Sequence, residues 1–296
     1  MHTQWGAATD AGGRRRMNED AVLTRPPVFV VADGMGGHAR GDMASRAVVA
    51  ELERLADPAS TAPPRPRDVE RAVLRAAERI RQVMAEETAG TGASGRERMA
   101  GTTVAGAVLT EQDGEAYWLV LNVGDSRVYR CTQTVLEQVS VDHSLVQELV
   151  DAGTIDAEQA RRHPNRNVIT RAVGTGADPE VDFWMLRANP RERMLVCSDG
   201  LVGELNEAEI ADVVRGAHDP QAAADALVAR AMAGGGASDN VSAVVVEVVH
   251  DRGGVEETAR TGAADDEQRE GSTRPRADAV RAAAVPAGAG HDEGAR

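Results

Sequence analysis

Lysine is absent from the 296 residues, so all 33 basic side chains are arginine. That excludes a Schiff-base lysine, a P-loop lysine and a lysine general base. An arginine-only, alanine-rich composition otherwise reads as codon bias in a GC-rich genome. Cysteine is scarce: Cys131 and Cys197 are the only two, too few for a disulfide framework and suited to a reducing cytoplasm. Each lies in an apolar stretch and is expected to be a buried structural thiol rather than a nucleophile. Long hydrophobic runs are missing too. Apolar stretches such as Val28–Ala32 and Val241–Val249 are strand-sized, far short of a membrane span. The first ten residues lack the charged-then-apolar pattern of a secretion signal. Basic charge is in deficit, with 33 Arg against 47 Asp and Glu and a net charge of −14. Nucleic-acid binders need a basic face to release counterions, so that class is set aside. The expectation is a soluble cytoplasmic monomer that engages neither nucleic acid nor a membrane.

What is present suffices for a sizeable core, since 42% of the residues are apolar. The composition changes after about residue 250. Residues 251–296 hold Gly, Ala, Arg, Asp and Glu but no Phe, Trp, Tyr, Leu or Ile. Such a stretch cannot bury enough apolar area to offset its ordering entropy, and it reads as a disordered tail behind one domain over 1–250. Within that domain Val28–Ala32 is a continuous apolar run, suited to a strand covered on both faces. Val69, Val73, Ala76, Ile80, Val83 and Met84 share one helical face, which predicts an amphipathic helix over 67–88. A similar pattern covers 42–55. Strand patterns follow at 102–110, 116–123, Arg127–Cys131, 135–139, 181–186, Arg193–Cys197 and Val241–Val249, with Asp113-Gly114 as a hairpin turn. Helices are expected at 144–152, 156–162, Glu207–Gly216 and 220–233. Strands in hairpins plus long helices, without regular βαβ alternation, predict an α+β layered fold with largely antiparallel sheets.

The aspartates stand at the ends of these strands. Asp33 ends Val-Phe-Val-Val-Ala and precedes Gly34-Met35-Gly36-Gly37. Asp199 follows Met-Leu-Val-Cys-Ser, Asp239 precedes the last strand, Asp125 follows Leu121-Asn122-Val123-Gly124, and Asp20 closes Asn18-Glu19-Asp20. Any one of them alone reads as a turn or cap residue. Brought together they would repel strongly unless cations intervened. Mg²⁺ or Mn²⁺, with oxygen ligands and retained waters, suits such a set, and the glycines would let the Gly34 carbonyl approach a metal. The seven histidines lack metal-ligand spacing. Two such ions activate water for phosphoryl hydrolysis. A phosphate site also wants a guanidinium fork, and Arg14-Arg15-Arg16 lies close by, although a solvated charge run is the plainer reading of that triplet.

Taken in order, Arg15-Arg16-Met17-Asn18-Glu19-Asp20, Val31-Ala32-Asp33-Gly34-Met35-Gly36-Gly37-His38, Gly101-Thr102-Thr103, Gly124-Asp125-Ser126-Arg127, Asp142-His143-Ser144-Leu145-Val146, Ser198-Asp199-Gly200-Leu201 and Ser238-Asp239-Asn240 resemble the bacterial metal-dependent protein phosphatases, the protein phosphatase 2C-like family. The resemblance spans roughly residues 3–249. It implies an αββα sandwich of two central, mostly antiparallel sheets flanked by helices, with the metal site at one end. It further implies that Asp33 bridges two Mn²⁺ or Mg²⁺ ions, with the Gly34 carbonyl on the second and Asp199 and Asp239 on the first. Asp20, and in some readings Glu19, acts through metal-bound waters. Arg15 binds the phosphate, and Asp125 with Asp199 holds a weaker third ion. The implied activity is hydrolysis of phosphoserine and phosphothreonine in proteins, opposing Ser/Thr kinases, with no covalent phosphoenzyme.

Met35 stands where many eukaryotic members carry a histidine that protonates the leaving group, leaving His38, His143 or a metal-bound water for that task. Residues 143–170 correspond to a mobile flap, whose Arg161, Arg162 and Arg166 either steer substrate or are simply solvated. Two alternatives share the fold: a scaffold module without catalysis, and a phosphatase acting on small esters or on an anti-sigma-factor antagonist.

Overall fold

A computed structural model describes residues 2–36, 39–57, 62–89, 100–249 and 280–281. Two antiparallel sheets lie face to face. The first has the order β1-β12-β11-β8-β9, formed by His2–Asp10 (β1), Val241–Val249 (β12), Arg193–Cys197 (β11), Arg127–Cys131 (β8) and Leu136–Gln138 (β9). The second has the order β13-β10-β7-β6-β3-β2, formed by Val280–Arg281 (β13), Asp182–Arg187 (β10), Glu115–Val123 (β7), Val104–Gln112 (β6), Val28–Ala32 (β3) and Ala21–Arg25 (β2). A small ladder joins Gly34–Met35 (β4) to Gly101–Thr102 (β5). The β6–β7 hairpin turns at Asp113 and Gly114, both at positive φ (54° and 79°), as its two-residue turn requires.

The continuous apolar runs are explained by cover on both faces. In β3, Val28, Val30 and Ala32 pack into a core with helices α1 (Ala39–Glu53) and α2 (Pro66–Thr88), while Phe29 and Val31 enter the core between the sheets. The other sheet repeats the arrangement: Leu195 and Cys197 of β11 pack against the far helices, and Met194 and Val196 point between the sheets. Those far helices are α5 (Asp199–Glu204), α6 (Glu207–Gly216) and α7 (Pro220–Met232). The order of layers is therefore helix, sheet, sheet, helix, the predicted αββα sandwich. Each layer hides the apolar face of the next. In α2, Val69, Val73, Ala76, Ile80 and Met84 are buried on one stripe, and Pro66 occupies the first turn, where its missing N–H costs nothing. Asn206 and Asp219 cap α6 and α7 by accepting from Glu209 N and Ala222 N.

The differences from expectation are local. β1 has no apolar alternation and was not predicted; it pairs along its whole length with β12. Asp199 begins the short helix α5 rather than ending a strand. Both cysteines are buried, and burial pushes the Cys197 thiol up to about 12, so neither is a ready nucleophile. Of the expected tail, only Val280–Arg281 is described, as β13 on the edge of β10; the remainder lies outside the described residues. No described helix is long and apolar enough to cross a membrane.

Candidate metal centre

β3 delivers Asp33 at one end of the sandwich, and its backbone is clamped there. Asp33 N donates to Thr103 Oγ1 (3.1 Å), while Thr103 N and Thr102 Oγ1 both donate to the Asp33 carbonyl (2.9 Å each). Thr103 Oγ1 is itself 2.7 Å from Ser126 Oγ. The next residue must be glycine. A Cβ on Gly34 would collide with the Gly41 carbonyl oxygen and stand 2.6 Å from that of Glu19, so the loop before β2 and the start of α1 close directly on its backbone.

Four other loops bring aspartates to the same end. Asp20, just before β2, accepts from Ser242 Oγ at 2.6 Å through Oδ2. Ser242 N in turn donates to Ser198 Oγ (2.9 Å), which ties the start of β12 to the end of β11. Asp199 follows that serine, Asp239 precedes β12, and Asp125 lies between β7 and β8. The five are coupled in charge. Asp33 is held well above the usual carboxylate range by burial and then by Asp20, Asp199, Asp125 and Asp239. Burial, joined by Asp199 and Asp239, pushes Asp20 up to about 6, against the lowering effect of its serine partners. Burial, then Asp199 and Asp142, pushes Asp125 up to about 8. Asp199 is raised by burial and Asp239, against a hydrogen bond from Asp33. Among the described residues Asp20 Oδ1 and Asp199 Oδ1 are buried with no hydrogen-bond partner.

Buried carboxylate oxygens without donors, surrounded by like charge, are ready acceptors for hard cations, and the all-oxygen donor set fits Mg²⁺ or Mn²⁺ rather than zinc. Among the described residues no three His, Cys, Asp or Glu side chains converge tightly enough to enclose an ion by themselves. Carbonyls and waters must therefore complete any shell, as hard divalent ions allow. Arg15 is the guanidinium bonded to the cluster among the described residues: its Nη2 donates to Asp239 Oδ2 at 2.6 Å, with its side chain 49% exposed. Asp20, Asp33, Asp125, Asp199, Asp239 and Arg15 thus come together at one end of the sandwich, whereas His38 lies outside the described residues.

Sequence reasoning named Asn240 without giving it a role. Its Nδ2 donates to the carbonyls of Ala11 (2.8 Å) and Met17 (3.0 Å), and its Oδ1 accepts from Glu19 N (2.9 Å). One buried amide thereby shapes the loop carrying Arg15 and Asp20. Asn240→Ala would leave three backbone groups unpaired, at about 1–3 kcal/mol for each that stays dry. The expected loss is roughly 3 kcal/mol in urea unfolding; a loss below about 1 kcal/mol would remove this role.

His143 is held by hydrogen bonds at both ring nitrogens. Its Nδ1 accepts from Gly124 N (3.1 Å), which places the ring proton on Nε2, 3.4 Å from Asp182 Oδ2. Burial and then Arg171 lower its pKa, so the ring is neutral and spans the Asp125 loop and β10. Beside it, Arg127 binds Asp142 through Nε and Nη2 at 2.7–3.0 Å. From His143 the chain enters helices α3 (Leu145–Asp151) and α4 (Ala157–Arg162), neither of which buries a residue. Leu145 N to Val168 O and Thr170 N to His143 O, both 2.8 Å, tie the two ends of this segment together. Arg161, Arg162 and Arg166 are exposed, and Arg162 pairs with Glu158 at 3.2 Å.

Comparison with known proteins identifies the family. The family profile "Protein phosphatase 2C" matches residues 14–233. The serine/threonine phosphatase stp of Listeria innocua is 32% identical over 253 residues, covering 83% of this chain and 96% of the relative. The serine/threonine protein phosphatase PstP of Mycobacterium tuberculosis is 35% identical over 288 residues, 95% of this chain and 52% of that protein. Its crystal structure superposes with a TM-score of 0.72 at 31% identity, covering 84% of this chain and 100% of the other. A structure of the PstP catalytic domain in complex with two manganese ions gives 0.69 at 30% identity, covering 84% and 99%. Profile, relatives and fold converge, and the chain belongs to the protein phosphatase 2C family, the metal-dependent serine/threonine phosphatases.

Proposed function

We propose that Arg15, Asp20, Asp33, Gly34, Asp125, Asp199 and Asp239 form the active centre, that Mn²⁺ or Mg²⁺ is its cofactor, and that its substrates are proteins phosphorylated by Ser/Thr kinases. The observation that carries this reading is a pair of buried oxygens, Asp20 Oδ1 and Asp199 Oδ1, with no partner among the described residues and set within mutually repelling carboxylates. Asp33, the Gly34 carbonyl, Asp199 and Asp239 would hold two ions, Asp20 would act through coordinated waters, and Asp125 with Asp199 would hold a third. Bound there, such ions supply Lewis acidity toward phosphate oxygens and acidify water toward neutrality.

The chain's own residues do the positioning. The Thr102–Thr103 clamp fixes Asp33 before any ligand arrives, so little reorganisation is needed on binding. Arg15 is tethered at Asp239 with half of its side chain exposed, and its fork can turn to a phosphate monoester. Cys131 and Cys197 are buried, so a cysteinyl-phosphate route has no nucleophile. The test is phosphate release from a phosphothreonine peptide with Mn²⁺ and then with excess EDTA. Release that stops with chelator is expected; release that persists in EDTA would refute the cofactor, and none from folded, Mn²⁺-loaded protein would refute the activity.

Arg15→Ala should raise KM for that peptide about tenfold or more, since hydrogen bonds to charged groups are worth about 1.5–3 kcal/mol. Arg15→Lys should recover only part of the loss, because an ammonium cannot form the fork. An unchanged KM in steady-state kinetics would place the phosphate elsewhere.

A further inference from the structure

A cavity of about 560 Å³ opens where β8 and β12 end and β11 begins. Strands β8, β11 and β12 connect it with the acidic centre. Along β12 alone the separation is roughly 25 Å at about 3.4 Å per residue, so the cavity belongs to the opposite end of the sandwich. Its apolar wall includes Pro190, Val214 and Val248, and its charged lining is Arg191, Arg193, Arg215 and Glu247.

These charges do not cancel. Arg193 is committed to the fold: its Nε binds Glu247 Oε2 (2.9 Å), and its Nη1 donates to the carbonyls of Val214 (2.6 Å) and Ala217 (2.9 Å). Glu247 is thereby paired with Arg193. Arg215 donates through Nε to the Thr132 carbonyl (3.2 Å) and meets the Cys131 thiol, a weak acceptor, so among the described residues it has no carboxylate partner. Arg191 makes no hydrogen bond or ion pair among the described residues. Its backbone also sits at φ 68°, the left-handed region that glycine or asparagine would occupy more cheaply. A chain with net charge −14 therefore keeps, among the described residues, two guanidinium groups without a carboxylate partner at the mouth of one partly apolar cavity.

We propose that this cavity binds a small organic anion, with a phosphate- or carboxylate-type head between Arg191 and Arg215 and an apolar body against Pro190, Val214 and Val248. The volume falls in the range of small-molecule sites, and paired forks suit a planar or tetrahedral oxyanion. A purely inorganic ion would leave the apolar wall without a partner.

The probes are phenylphosphonate, whose C–P bond is not a phosphate ester, benzoate as the carboxylate, and benzamide as the neutral analogue. Each is titrated into ¹⁵N-labelled, Mg²⁺-saturated full-length protein while amide signals are followed. Saturable shifts at Thr132, Arg191 and Val248 are expected with at least one acid, and the stronger acid identifies the head group. Benzamide should leave these signals in place. Arg191→Ser with Arg215→Ser should weaken binding at least tenfold. Should the double variant lose stability, Arg191→Ser alone, at an exposed side chain without bonds, should still weaken it severalfold. No shift with either acid, shifts confined to the neighbourhood of Asp33 and Asp199, an equal response to benzamide, or unchanged affinity in the Arg191→Ser variant would each overturn the proposal.

Discussion

Replacing Asp33 with asparagine is expected to lower phosphate release roughly a thousandfold, the order seen when a principal electrostatic element of an active site is removed, while the protein stays folded. The fold should survive because the clamp on residue 33 uses backbone atoms, Asp33 N and O with Thr102 and Thr103, and asparagine keeps all of them. The carboxylate itself is under strain in the metal-free protein, with Asp20, Asp199, Asp125 and Asp239 all raising its pKa after burial. Asparagine removes one member of that repelling set, so the metal-free variant should melt no lower than the metal-free wild type. The diagnostic is the response to Mn²⁺. Wild-type Tm should rise with Mn²⁺ by mass action on the folded state, and the variant should lose most of that rise. Retained turnover together with a wild-type Mn²⁺ response would sink the assignment of Asp33 as a metal ligand.

Much of this centre was legible because its parts obey local rules. A strand covered on both faces must be apolar throughout, and β3 and β12 announce themselves that way; an aspartate directly beyond such a strand is conspicuous. The amphipathic stripe of α2 is equally local. β1 escaped because it is an edge strand pairing with β12 alone: Trp5 is 40% exposed, and only Thr3 and Gly6 are buried. Helix α5 escaped because six residues following a strand carry no periodicity to read. The roles of Asn240 and His143 are non-local in a stronger sense. Asn240 bonds to residues more than 220 positions away, and the partners of His143 are set by where the β7–β8 loop meets β10. Nothing in a local pattern tells an amide that shapes a loop from one that caps a turn. The balance of charge in the cavity at the far end is hidden for the same reason, since Arg193 and Glu247 cancel only once β11 and β12 are paired.

Without metal, the protein should become less stable as pH rises from about 4 to 8, opposite to the usual behaviour of salt-bridged carboxylates. In the unfolded chain Asp20, Asp33, Asp125 and Asp199 ionise near the ordinary value of 3.8. Folded, they keep their protons to higher pH, to about 6 for Asp20 and about 8 for Asp125. Across that window the folded state binds more protons than the unfolded state, so unfolding releases protons and stability falls as pH rises. A two-unit shift corresponds to about 2.7 kcal/mol. Opposing hydrogen bonds at Asp20 and Asp199 and the sharing of protons among interacting sites reduce that to about 1–2 kcal/mol, or roughly 3–6 °C in Tm for a domain of this size. Saturating Mn²⁺ should abolish the decline, because cations hold the carboxylates ionised and bind better as protons leave. Thermal unfolding in EDTA and in Mn²⁺ at pH 5, 6, 7 and 8 separates the cases. A metal-free Tm that stays level or rises over that range would mean that the five aspartates do not repel one another in the folded protein, and the physical case for a cation at their centre would go with it.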